Sequence, residues 1–178
     1  MAALTKFIVL GVGNILWADE GFGPRVVERL RQRSEYAVLP GNPELIDGGT
    51  QGLYLLPIIQ EASHLLIFDV VDFNQPPGAV LVLCDEEIPA FFGERPLSLH
   101  QTAFTDVLAA AALTDSTPAK ITLIGVQAAV LDDWGGGLSP PVLAAMEQVI
   151  QQGHEQLQRW NDEVNHYVSG NKFDRSHI

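Results

Sequence analysis

Four side chains stand where an α/β chain puts its chemistry. Glu20 follows the first apolar run in Asn14…Asp19-Glu20, and Asp47 opens the run Asp47-Gly48-Gly49-Thr50. Asp69 closes a third apolar run with Asp72 close behind, and His100 lies just before a helical pattern. When parallel strands end on one edge of a sheet, residues far apart in sequence converge there, and that edge is where open α/β folds bind their ligands. Glu20, Asp69 and His100 supply two carboxylates and one imidazole. Three such ligands suit a divalent transition ion and leave positions open for water or substrate. No two of the three share a local motif, so spacing alone favours solvated acids and a His that caps a helix or stands on the surface over a metal site. Asp47 with Asp69 or Asp72 offers a different chemistry, an aspartic dyad, which needs its carboxylates in contact.

Other chemistries fit poorly. Gly11-x-Gly13 after a strand is similar to the start of a dinucleotide fingerprint, but Leu16 occupies the third glycine position and Asp47 comes too late to serve as the ribose ligand. A tight turn with close backbone packing accounts for the two glycines. His154-Glu155 is followed by Gln158 where a zinc-protease motif needs its second His. No G-x-S-x-G elbow occurs. Cys84 precedes Asp85-Glu86-Glu87, and negative neighbours oppose thiolate formation. His64, His166 and His177 have no carboxylate context in the sequence.

The elements that must hold these residues follow from the apolar pattern. Phe7-Ile8-Val9-Leu10 reads as a strand buried on both faces. Phe22, Val26, Val27 and Leu30 recur at helical spacing, with Pro24 in the first turn. Glu44–Asp47 makes a second strand, after which Thr50 caps a helix through Leu53, Leu56 and Ile59. Pro57 inside that helix predicts a kink or an early end. His64–Val71 holds a third strand, Ala79–Leu83 a fourth and Ile121–Val126 a fifth, with a helix over Gln101–Leu113. Ser139-Pro140-Pro141 starts the last helix, whose inner stripe is Val142, Met146, Val149, Ile150, Leu157 and Trp160. Gly135-Gly136-Gly137 predicts a loop with freedom to move. The alternation predicts a three-layer α/β fold, a mostly parallel twisted sheet of about five strands with helices on both faces. One domain spans 1–160, and 161–178 is a polar, loose tail.

Composition narrows the setting. The chain has 178 residues, 47% hydrophobic and 18% charged, enough apolar surface for one well-packed domain. Ten Lys and Arg against 22 Asp and Glu give a net charge of −12, which disfavours nucleic acid and anionic membranes as partners. The single cysteine excludes an internal disulfide. The longest apolar run, Phe7–Gly13, is too short to span a bilayer and carries no signal-peptide cleavage pattern. A cytoplasmic protein is expected. No unpaired apolar helix stripe demands a second copy, so the expectation is a monomer.

Set beside one another, the motifs form a series. Gly11-Val12-Gly13-Asn14-Ile15-Leu16-x-x-Asp19-Glu20-Gly21-x-Gly23 resembles the N-terminal signature of the hydrogenase maturation endopeptidases, which process the large subunit of nickel–iron hydrogenases. The resemblance continues, in order, through Asp47-Gly48-Gly49-Thr50-x-Gly52, Asp69-Val70-Val71-Asp72-Phe73, Ser98-x-His100-Gln101 and Leu123-Ile124-Gly125-Val126. It implies that Glu20, Asp69 and His100 bind metal. It further implies that no metal is permanently bound. The enzyme would recognise nickel already placed in the precursor, then remove a C-terminal peptide. Asp47 is the candidate for a supporting catalytic role, as general base or peptide-backbone anchor, and a turn carboxylate capping the Thr50 helix is the alternative. A chaperone or adaptor that inspects the nickel without cutting is the rival class. A metallohydrolase with its own metal is a third possibility. Trp17-Ala18 fill variable positions, Pro57 interrupts a helix the family usually continues, and the tail after Asn161 matches no motif.

Overall fold

The structure is a computed structural model that describes residues 5–32, 39–93 and 99–173; within these, side chains at 93, 99–103, 168 and 170–173 lie outside the description. Five strands form one sheet: β1 (Phe7–Val12), β2 (Glu44–Gly49), β3 (His64–Val71), β4 (Val80–Cys84) and β5 (Lys120–Gln127), in the order β2-β1-β3-β5-β4. The first four in that order run parallel, and β4 closes the edge antiparallel to β5. β1 and β3 are buried almost throughout because both faces are covered, which is why they read as unbroken apolar runs.

The helices form two further layers. On one face, Phe7 and Val9 of β1 and Phe68 of β3 pack against α1 (Phe22–Gln32) and α5 (Pro140–Phe173). On the other, Ile8, Leu10 and Ile67 pack against α2 (Leu56–Glu61), α3 (Glu87–Gly93) and α4 (Leu99–Leu113). The period-2 alternation of the strands therefore sends successive residues into two separate cores. Phe22, Val26, Val27 and Leu30, the inner stripe of α1, are all buried, each contributing about 1.5–3 kcal/mol.

The expected three-layer, mostly parallel architecture is the one observed, and several local expectations change. The segment 161–173 is not a loose tail but continues α5, with Val164 packed against the core. Thr50 is not a helix cap: Gln51 precedes a 3-10 turn, Gly52–Leu55, without a side-chain capping bond. Pro57 sits in the first turn of α2, which ends after only six residues. α3 has no counterpart in the sequence reading; Ile88 and Phe92 anchor it. The glycine loop is tied down, because Gly135 N–H donates to the Leu16 carbonyl (2.8 Å) and Trp17 bridges Trp134.

Candidate active site

Close backbone approach positions Glu20. α1 comes so near the sheet that a Cβ on Gly11 would overlap the Gly23 carbonyl, and one on Gly23 would overlap the carbonyls of Val12 and Phe68. The start of α1 thus lies directly over the ends of β1 and β3. The connection is a 3-10 turn, Ala18–Gly21, which packs against β3 and carries Glu20. Gly13 adopts φ +134°, and the Asn14 N–H donates to the Glu20 carbonyl at 3.0 Å. A side chain at Gly13 would collide with that same carbonyl, so glycine is required there on both counts.

Two further side chains hold this turn. Asp19 is fully buried and accepts from Ala129 N (2.9 Å), Val130 N (2.8 Å), Ser139 N (2.7 Å) and Ser139 Oγ (2.9 Å). One carboxylate therefore joins the Glu20 turn to the loop leaving β5 and to the start of α5. Arg25 on α1 donates to the carbonyls of Ala18 (3.5 Å) and Ile15 (3.3 Å). Glu20 itself is half-buried.

Asp69 reaches the same edge from β3. It is 2% exposed, and its Oδ1 accepts the Val70 N–H at 2.8 Å. Ile67 and Val71, two residues to either side, face the core covered by α4, so Asp69 points towards that layer. His100 belongs to the first turn of α4 rather than preceding it. Its side chain lies outside the described residues, so the threefold set with Glu20 and Asp69 is not formed from described side chains, and among these no three His, Cys, Asp or Glu gather around one point.

Asp47 and Asp72 take turn geometry. Asp47 is exposed, and its Oδ1 accepts the Gly49 N–H at 3.0 Å, closing the turn at the end of β2. It pairs in register with Gly11, and Gly11 with Phe68. Asp47 thus lies two strands, about 10 Å, from β3. It shares a row with Phe68, so it alternates to the face opposite Asp69. Asp72 Oδ1 accepts from Asn74 N (3.2 Å) and Gln127 Nε2 (3.0 Å). No contacting aspartic dyad forms between Asp47 and either residue.

The supporting groups are not legible in the sequence. Asp19 was visible beside Glu20, but nothing in the local pattern marks a carboxylate whose four donors lie more than a hundred residues away. Buried Gln127 accepts the Phe73 and Gln75 N–H groups on one amide oxygen and bonds Asp72 through its nitrogen, fixing the loop after β3. Its position as the last residue of a buried strand was the available signal.

Known proteins share this fold. Residues 24–156 match the model of a family described as hydrogenase maturation protease. The hydrogenase expression/formation protein HupD of Rhodobacter capsulatus is 48% identical over 159 residues, covering 89% of this chain and 74% of that protein. The hydrogenase 2 maturation protease of Escherichia coli is 43% identical over 148 residues, covering 83% and 87% respectively. The solved structure of the E. coli hydrogenase maturating endopeptidase HybD superposes with a TM-score of 0.76 at 42% identity, covering 83% of this chain and 89% of that one. A family match over about three quarters of the chain and 43–48% identity to relatives covered over most of their length, on the same mostly parallel sheet, leave one conclusion: the chain belongs to the hydrogenase maturation protease family.

Proposed function

We propose that this protease removes a C-terminal peptide from the nickel-loaded precursor of a nickel–iron hydrogenase large subunit, and that it recognises its substrate through that nickel. What supports the proposal is family membership together with the packing of the Glu20 turn against β3, the strand that carries Asp69. In this account the precursor brings the metal. Glu20, Asp69 and His100 complete its coordination, and the chain needs no permanently bound metal of its own. Binding strength then reports whether nickel is present, a discrimination by differential affinity. Substrate docked this way places its scissile carbonyl where the ion can polarise it or activate a water. Asp47, exposed at the end of β2, serves either as general base towards that water or as an anchor for the peptide backbone. Ser63, whose Oγ lies 2.9 Å from His64 Nδ1, stands at the start of β3, at the opposite edge of the sheet from Asp69, so water is the attacking group in this account.

Variants test the site. Glu20→Gln, Asp69→Asn and His100→Ala should each reduce precursor processing, followed by intact mass, by at least about a hundredfold, while retaining the wild-type far-UV spectrum and melting cooperativity. Asp47→Ala should slow processing and leave precursor binding measurable. Unchanged processing by His100→Ala would remove the metal assignment, and unchanged processing by Asp47→Ala would remove that residue from catalysis. Binding of the precursor without peptide release by the wild type would favour the chaperone class.

A further inference from the structure

We infer that the loops leaving β1 and β5 form a preformed apolar platform on which the protein substrate docks, with Trp134 as its anchor; the inference rests on the proteolytic reading above and names where that substrate is held. Exposed large apolar side chains are unevenly placed. Eleven occur among the described residues, and five of them, Ile15, Leu16, Val130, Leu131 and Trp134, stand on these two loops. Trp134 is 63% exposed although it is among the largest apolar side chains in the chain. A contiguous apolar patch on a soluble domain marks a surface that meets another molecule.

The two loops behave as one surface. Trp17 and Trp134 form an isolated antiparallel bridge, and their rings meet edge to face with centroids 5.1 Å apart. Gly135 N–H donates to Leu16 O (2.8 Å), Ala18 N–H to Asp133 O (3.0 Å) and Asp19 N–H to Val130 O (3.1 Å). Beneath them the Asp19 carboxylate, on the segment after β1, accepts from Ala129 N and Val130 N on the loop after β5. Ordering the loops is therefore already done before any partner arrives, which lowers the entropic cost of binding. The platform adjoins the candidate site without a gap in sequence or space: Asp19 precedes Glu20, and the backbone of Ile15 lies against Gly21. A folded protein whose scissile segment enters beside Glu20 must lay its neighbouring surface on these side chains. That continuity selects the protease's own protein substrate as the occupant over a small ligand, which the outward-facing, exposed side chains do not enclose.

The test is steady-state processing of a nickel-loaded large-subunit precursor by wild type, Trp134→Ala, Trp134→Phe, Leu131→Ser and the control Leu113→Ser, whose side chain is exposed at the far end of α4. Trp134→Ala and Leu131→Ser should raise KM about tenfold with kcat within about twofold. Trp134→Phe should recover most of the loss, and Leu113→Ser should match wild type. Equal KM for wild type and Trp134→Ala, with processing intact, would overturn the platform and leave the proteolytic reading standing. Failure of the wild type to process would overturn both. A dimer that Trp134→Ala converts to monomer at unchanged KM would assign the surface to a second copy and also overturn the inference.

Discussion

Asp19 shows how a charged side chain can be worth more to a protease as a structural tie than as chemistry. It is fully buried, and its oxygens take three backbone N–H groups and one hydroxyl from residues 129–139. Hydrogen bonds to a charged acceptor are worth more than neutral ones, and removing the acceptor strands every donor. Asp19→Ala should therefore lower stability by about 3 kcal/mol in chemical denaturation; a loss under about 1 kcal/mol would show that the loops hold without it. His64 gives a second prediction. It packs against Phe7 (4.6 Å) and Trp160 (5.1 Å), and burial pushes its pKa below the ordinary 6.5, with Lys120 acting the same way against the upward pull of Glu163 and Asp85. The unfolded chain takes up this proton near pH 6.5 while the folded chain resists it. The contribution is thus complete above pH 6.5 and is lost as pH falls through the folded value. Urea midpoints measured across that window should fall more steeply for wild type than for His64→Phe, and parallel slopes would contradict the assignment. Of these side chains, the sequence made Glu20 and Asp69 legible because strand ends are visible as breaks in apolar runs. Asp19 and the aromatic packing of His64 stayed hidden because their partners come from distant elements.

The approach of α1 to the sheet is what turns a strand-end acid into a positioned one. Gly11 and Gly23 permit that approach, and backbone carbonyls rather than flexible side chains fill the space a Cβ would take. Gly23→Ala should cost about 2–3 kcal/mol, as overpacking against rigid atoms does, and should also lower processing by displacing the Glu20 turn. A variant with wild-type melting and wild-type processing would show that the helix start shifts without consequence. The strands were readable from sequence because β1, β3 and β5 are buried on both faces and leave continuous apolar runs. α3 was not, since seven residues hold too little of a helical period to stand out from the acidic turn before them. The end of α5 was missed for another reason. Its 34 residues begin with a buried stripe, 161–167 are mostly polar and exposed, and polarity alone does not separate a solvated helix from a loose tail. The first turn of α4 lies within a residue or two of where the pattern put it, the usual uncertainty of helix boundaries.

Taken together, the parallel sheet gathers onto one edge an acid from the β1–α1 turn, an acid from β3, the turn acid of β2 and the apolar loops of β1 and β5. None of the described helices is long and apolar enough to cross a membrane. The fold and family membership place the chain among the hydrogenase maturation proteases, and the dependence on nickel is the claim on which the proposed mechanism turns. Intact-mass spectrometry of a purified large-subunit precursor, mixed with this protein once nickel-loaded and once nickel-free, tests it most directly. Loss of a C-terminal peptide from the nickel-loaded precursor alone is the predicted result. Equal cleavage of both forms would contradict recognition through the metal and leave Glu20, Asp69 and His100 without the role assigned to them.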